Sequence, residues 1–203
     1  MTSKTFLRAA YRCRSVEMLD RIRLLILDVD GVLTDGRITY TSRGTEVKSF
    51  HTLDGHGVKL WVRQGKDVAL VSGRASGAIR RRAKEIGVEA VYEGAKDKLP
   101  VFEKVLKRFR CAAGEACYVG DDLPDVPVLA RVGFAVAVPG AVGEVKRVSH
   151  YVTRAVGGGG AVREVVELIL RHPGLGGEAT RRYAEGLPAD LPAARNPWGG
   201  RQG

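Results

Sequence analysis

Hydrophobic residues in this chain follow two rhythms that alternate along its length. Solid apolar runs at 24–27, 68–71, 90–92, 116–119 and 134–138 read as strands covered on both faces. Between them, apolar residues recur every three or four positions, as on a helix with one buried stripe. The pattern predicts a strand over 23–29 and a helix from near Asp54 to Gly65. A strand at 68–71 and a helix at 76–86, closed by Gly87, come next. A strand at 90–92, a helix at 98–109 and a strand at 116–119 follow. A helix over 125–132 opening near Pro124, a strand at 134–138 and a helix at 161–170 complete the series. The first exception to this order is the pair 37–40 and 45–50 around Thr41-Ser42-Arg43-Gly44, which reads as a β-hairpin. The second lies at the ends. A short helix at 15–20 belongs to a loosely ordered arm over 1–20, and periodicity is lost in a flexible tail over 172–203 rich in Gly, Pro, Ala and Arg. The span 21–171 is then one domain.

Strands alternating with helices of this length imply an α/β fold, a Rossmann-like doubly wound parallel sheet with helices on both faces. Ligands of such folds bind beyond the carboxyl ends of the strands. The polar residues of this sequence collect there. Leu24 to Leu27 run straight into Asp28 and Asp30, which leave a strand end on the same side because side chains alternate with period two. Ser72 follows another strand, Lys98 lies just beyond a third, and Asp121 and Asp122 follow a fourth. Singly, each fits a structural role: a helix cap or calcium-like loop for Asp28-Val29-Asp30, a turn for Ser72-Gly73, a solvated lysine for Lys98, a turn and N-cap for Gly120-Asp121-Asp122. Together they suit metal-assisted chemistry on a phosphate ester. Mg²⁺ prefers oxygen ligands and keeps several waters, so Asp28, Asp121 and a backbone carbonyl near Asp30 suffice. One carboxylate, Asp28, then attacks phosphorus. The other, Asp30, serves as general acid and base, while Lys98 and Ser72 compensate and hold the phosphoryl oxygens.

Composition narrows the partner. The 203 residues carry 33 Lys and Arg against 23 Asp and Glu, a net charge of +10. Much of the excess sits at Lys4, Arg8, Arg12, Arg14, Arg21 and Arg23, opposed only by Glu17 and Asp20. A basic balance favours an anionic partner or simply a solvated surface. Aromatic residues make up only 6%, with no nucleic-acid-binding motif, so nucleic acid is not expected. No apolar stretch nears the roughly 20 residues of a membrane span, and the N-terminus lacks the apolar core of a secretory signal. Cys13, Cys111 and Cys117 show no metal-ligand spacing. A cytoplasmic protein with free thiols and no membrane contact is the expectation.

The ordered set Asp28-Val29-Asp30-Gly31-Val32-Leu33-Thr34, Ser72-Gly73-Arg74, Lys98 and Gly120-Asp121-Asp122 through Asp125 resembles the four motifs of the haloacid dehalogenase-like phosphohydrolases. Within that superfamily, the stretches at 50–58, 92–99, 118–125 and 151–165 are similar to the phosphatases acting on 3-deoxy-D-manno-octulosonate 8-phosphate. The resemblance covers roughly residues 20 to 171.

It implies a Mg²⁺-dependent hydrolysis of an eight-carbon keto-sugar acid phosphate through an aspartyl-phosphate, feeding lipopolysaccharide synthesis; a nine-carbon ulosonate 9-phosphate is the alternative. By motif, it assigns Asp28 as nucleophile and metal ligand, and Asp30 as acid/base with its carbonyl on the metal. Asp121 becomes the remaining ligand, and Asp122 and Asp125 support them. It places substrate contacts at Asp30, at His51, Thr52, Leu53, Asp54 and Gly55, and at Lys59, Arg74, Arg82 and Lys98. It also implies that only the hairpin, about 37–50, stands over the site in place of a large cap domain, and that the protein is a homotetramer. Departures from the family pattern are His51 where asparagine is usual, Gly157 to Gly160 where an arginine is often present, and the long tail. The four glycines read as a flexible connection or a phosphate loop. A non-catalytic basic binding protein is the rival of another class.

Overall fold

The computed structural model describes residues 18–170. Most of the expected arm, including Cys13, and the expected tail lie outside the described residues; of the short helix at 15–20, residues 18–20 are helical. The main sheet has six strands: β1 (Leu24–Leu27), β4 (Asp67–Val71), β5 (Ala90–Tyr92), β6 (Ala116–Gly120), β7 (Phe134–Ala137) and β8 (Tyr151–Val152). Their order is β5-β4-β1-β6-β7-β8, every neighbouring pair parallel. A separate antiparallel hairpin pairs β2 (Thr39–Tyr40) with β3 (Glu46–Val47). The α-helices are α1 (Thr52–Arg63), α2 (Gly77–Ile86), α3 (Lys98–Phe109), α4 (Val126–Leu129), α5 (Gly143–Val148) and α6 (Ala161–Leu170). Helix α1 packs against α6 and α2, whereas α4 packs against α3 and α5. Right-handed crossovers put these two groups on opposite faces of the sheet.

The centre is β1, whose Leu24, Leu25, Ile26 and Leu27 are all fully buried. Helices cover both of its faces, so alternation is absent and the run is solid. The chain winds from β1 to β4 and β5 on one side, then returns to build β6, β7 and β8 on the other. This reversal makes the carboxyl ends of β1 and β6 the expected crevice. In register, Leu27 faces Leu70 of β4 and Val119 of β6. Asp28 therefore emerges level with the last residues of both neighbours. Among the described residues no helix is long and apolar enough to cross a membrane.

Several expected elements change. The helix expected over 125–132 is a 3₁₀ turn, Leu123–Asp125, followed by the four-residue α4. Prolines 124 and 127 remove donors from it, and bonds from Arg131 N–H to Val128 and from Val132 N–H to Val128 close the segment as turns. Helix α1 starts at Thr52, two residues before the expected Asp54, because the His51 side chain accepts from Leu53 N–H and caps it. Helix α5 and strand β8 have no counterpart among the expectations. With six and two residues, they are too short to show a period.

Asp54, expected in a substrate loop, is buried between α1 and α6. It accepts from Gly160 N–H at 3.1 Å and Arg163 N–H at 2.9 Å. Across the domain it satisfies two of the otherwise orphaned donors at the start of α6. Asp54→Ala should lower unfolding stability by about 1–3 kcal/mol, the usual cost of a lost cap and of stranded buried donors. Urea denaturation followed by circular dichroism measures it; an unchanged midpoint would contradict the assigned role.

Candidate active site

Asp28 is the first residue past β1. Its N–H continues the ladder to β6, donating to the Val119 carbonyl at 3.0 Å. Beyond it the chain curls around one carbonyl, that of Val29, which accepts from Leu33 N–H at 2.9 Å and Thr34 N–H at 3.0 Å. The buried Thr34 hydroxyl braces the curl by accepting from Gly31 N–H at 3.3 Å and Gly36 N–H at 3.2 Å. At Gly31 the backbone has φ of 91°, and a Cβ would stand 2.0 Å from Asp121 Oδ2. Only glycine combines that conformation with that approach.

Three other strand ends of the main sheet, those of β4, β5 and β6, supply most of the remaining groups. Lys98, the first residue of α3, points its ammonium into the site, 2.8 Å from Asp28 Oδ1 and 2.6 Å from Asp125 Oδ1. A cation at a helix N-terminus opposes the helix dipole, and these two carboxylates are what offset it. Asp125 is fully buried and saturated. Its Oδ1 also accepts from Tyr118 OH at 2.6 Å, and its Oδ2 accepts from Asp121 N–H at 3.0 Å and Asp122 N–H at 3.2 Å. Asp122 is exposed and accepts from Leu123 N–H. Oxygens of Asp28, Asp121 and Asp125 lie within 4.8 Å of one another.

Three carboxylates against one ammonium leave two negative charges in a largely buried space. Burial drives the Asp28 carboxyl well above the ordinary range, and Asp125 and Asp121 add to the rise against the opposing Lys98. Burial likewise pushes Asp121 up to about 6. For Lys98 burial works against the charged form, but Asp28 and Asp125 outweigh it and raise its pKa. Asp121 Oδ1 is buried with no hydrogen-bond partner. A buried, unpartnered carboxylate oxygen beside a second carboxylate, with an excess of two negative charges, fits a divalent cation of the Mg²⁺ type. Asp125 has no lone pair to spare, so its part is to orient Lys98 and the Asp121 backbone.

Asp30 stands apart from that cluster. Its carboxylate is ion-paired with Lys48, the residue after β3, and Lys48 also lies 3.2 Å from Glu46. Glu46 in turn pairs with Arg74 at 2.8 Å. Asp28, Asp30, Gly73, Arg74, Ala95, Lys98 and Asp121 are among the residues lining one cavity of about 300 Å³. Ser72 lies beneath its wall. The hydroxyl accepts from Arg74 N–H at 3.1 Å, and the backbone joins Tyr92 and Ala95. The structure does not bring the remaining expected substrate residues into this cavity. His51 to Gly55 form the cap and first turn of α1 rather than a loop, and Lys59 is exposed on the same helix. Arg82 donates to the His51 carbonyl at 3.0 Å and sits over Phe50, bracing that turn. Gly157 to Gly160 are no loose connection. A Cβ on Gly157 would lie 1.7 Å from the Gly31 carbonyl oxygen, and Gly158 N–H donates to Val32 at 2.9 Å. They form the outer wall of the Asp28–Asp35 curl.

Lys48, Tyr118 and Thr34 carry parts of this geometry that sequence reasoning did not assign. For Lys48 a signal existed: Glu46, Val47 and Lys48 alternate, so both charges leave one side of the hairpin.

No protein-family model matches the chain. The chain is 40% identical over 173 residues to the 3-deoxy-D-manno-octulosonate 8-phosphate phosphatase of Yersinia pestis, spanning 84% of this chain and 92% of that relative. It is 42% identical to the same enzyme of Escherichia coli K12 over 151 residues, 74% of this chain and 80% of that one. The chain belongs to the 3-deoxy-D-manno-octulosonate 8-phosphate phosphatase family. It is thus a phosphoric monoester hydrolase of the haloacid dehalogenase superfamily. A crystal structure of the family's Moraxella catarrhalis member, with a magnesium ion, a phosphate ion and a KDO molecule, superimposes with a TM-score of 0.76. It is 40% identical and covers 77% of this chain and 90% of that one.

The charge excess in this family member has a pH signature. The Asp121 pKa is raised from 3.8 to about 6 on folding. Its contribution to stability is therefore fully present below the unfolded value and is lost as pH rises through about 6. Mg²⁺, which binds the ionised form, should raise the melting temperature more at about pH 7.5 than at about pH 5. Thermal melts with and without MgCl₂ at both pH values test this; equal shifts would contradict it.

Proposed function

We propose that this chain hydrolyses 3-deoxy-D-manno-octulosonate 8-phosphate to the free keto-sugar acid and phosphate, with Asp28 as nucleophile. The observation that carries the reading is the buried Asp28 carboxylate, held 2.8 Å from Lys98 and beside the unpartnered Asp121 oxygen, on the wall of a cavity. Asp28, Asp121 and the Asp30 carbonyl would hold Mg²⁺. When bound, that ion supplies charge that keeps both carboxylates ionised and draws density from a phosphoryl oxygen.

The chain's own groups then divide the work. An Asp28 oxygen attacks phosphorus and the ester P–O bond breaks, leaving an aspartyl-phosphate. Asp30 gives its proton to the departing sugar oxygen. In the second step the Asp30 carboxylate takes a proton from water, the water oxygen bonds to phosphorus, and the bond to Asp28 breaks to release phosphate. Lys98 balances the phosphoryl charge from a position fixed by Asp125. Ser72 and the backbone around Gly73 hold the transferring oxygens. Support for the sugar acid comes from the named relatives and from Arg74, a cation on the cavity wall able to meet a carboxylate. The product belongs to lipopolysaccharide synthesis in the resemblance already drawn. We also propose a homotetramer. Ile38, Tyr40 and Val47 expose large apolar surface on the hairpin, which self-association would cover.

Asp28→Asn should reduce turnover by at least about 10³-fold while circular dichroism and the melting temperature remain those of a folded protein. EDTA should abolish wild-type turnover and Mg²⁺ restore it. Full turnover by the variant would refute the nucleophile; no turnover by the wild type with Mg²⁺ present would leave the rival binding protein standing. Substrate choice is read from kcat/KM on the eight-carbon 8-phosphate against a nine-carbon ulosonate 9-phosphate, expected to favour the former. Light scattering should give four chains per particle; a monomer would overturn the assembly.

A further inference from the structure

The Lys48 side chain is only 2% exposed, yet it carries a charge and belongs to the small hairpin rather than to the sheet. A lysine is buried in this way only when its charge is met. Here Asp30 meets it on one side and Glu46 on the other. Glu46 is engaged further by Arg74, whose guanidinium also donates to Tyr40 OH at 3.3 Å. The four charges alternate in sign, Asp30, Lys48, Glu46, Arg74, and run from the curl after β1, over the hairpin, to the loop after β4. Tyr40 and Glu46 are cross-strand partners, so the hairpin's own ladder fixes the far end of this chain. On the other side, Asp28, Asp121 and Asp125 converge around Lys98. Asp30 lies two residues from Asp28, and its carboxylate is turned to the hairpin.

We infer that Lys48 is the positioning residue of the acid/base: it holds the Asp30 carboxylate on the hairpin side of the cavity, clear of the metal cradle and in line with the leaving oxygen. The inference rests on the proposed roles of Asp28 and Asp30. A general acid acts only from within hydrogen-bond reach of the atom it protonates, and a side chain as short as Asp30 depends on its neighbours for that aim. Arginine at position 48 keeps the charge, with a longer reach. Methionine keeps the length and removes the charge.

The test separates aim from binding and from folding. Glycerol 2-phosphate and p-nitrophenyl phosphate both lack a carboxylate, but the first must have its leaving oxygen protonated and the second releases a stable anion. Because kcat/KM reports the step that breaks the ester bond, the ratio of the two values is independent of how much of a variant is folded. Asp30→Asn should move that ratio at least about tenfold toward the aryl ester. Lys48→Met should move it in the same direction by at least about fivefold, and Lys48→Arg should return it most of the way. The Mg²⁺ concentration for half-maximal activity should stay within about twofold in both lysine variants. An unmoved ratio in Lys48→Met, or one that arginine does not restore, overturns the inference while leaving Asp30 in place. So does a loss confined to the carboxylate-bearing sugar phosphate, which would make Lys48 a substrate-binding residue. An unmoved ratio in Asp30→Asn instead removes the acid/base itself, and the role of Lys48 with it.

Discussion

Uncompensated negative charge in a dry space is the constraint around which this domain is arranged. Three aspartates meet at the carboxyl ends of the two central strands with a single lysine among them. Such a cluster is costly unless a proton or a cation joins it. Every nearby element is bent to that condition. Lys98 accepts an unfavourable place at the start of α3, Tyr118 spends its buried hydroxyl on Asp125, and two backbone N–H groups are turned onto the same carboxylate. What remains unmet is one oxygen of Asp121. The sheet can carry this load because β1 and Ala116, Cys117, Tyr118 and Val119 of β6 are packed to zero exposure and leave little room to relax.

The site has two supports of different stiffness. Asp28, Lys98, Asp121 and Asp125 stand directly on strand ends or on helices packed to them. The Asp30 side chain is tied instead to a two-stranded hairpin, and such hairpins are marginal alone. In the proposed mechanism the nucleophile and its counter-charges stay fixed, whereas the acid/base serves first a sugar oxygen and then a water. Tying the Asp30 carboxylate to a partner on a separate element lets its surroundings vary without disturbing Asp28.

The solid runs made β1, β4, β5, β6 and β7 legible, and helices α3 and α6 lie where the apolar stripe puts them. Their side chains decide between strand and helix locally. Candidate chemistry was legible for the same reason, since Asp28, Ser72, Lys98 and Asp121 each follow a recognisable strand. The edge elements α5 and β8 were not, because a turn or two of chain has no period and owes its form to neighbours. Asp54 shows the deeper difficulty. In sequence it is a carboxylate in a glycine-rich stretch, indistinguishable from a ligand-binding residue. Only the packing of α1 on α6 reveals that its partners are Gly160 and Arg163. Lys48 errs in the opposite direction, a lysine among many whose burial could not be read before the hairpin was folded over Asp30.

The tetraglycine places main chain directly against main chain at the curl that carries Asp28 and Asp30, with no side chain between Gly157 and the Gly31 carbonyl. A contact of that kind has no smaller substitute to retreat to. Position 157 is thereby bound to the same fate as the aspartates it never touches: natural variation could replace much of the surface around the pocket, but at this spot even a single methyl would have to be bought with a shift of the whole reactive loop.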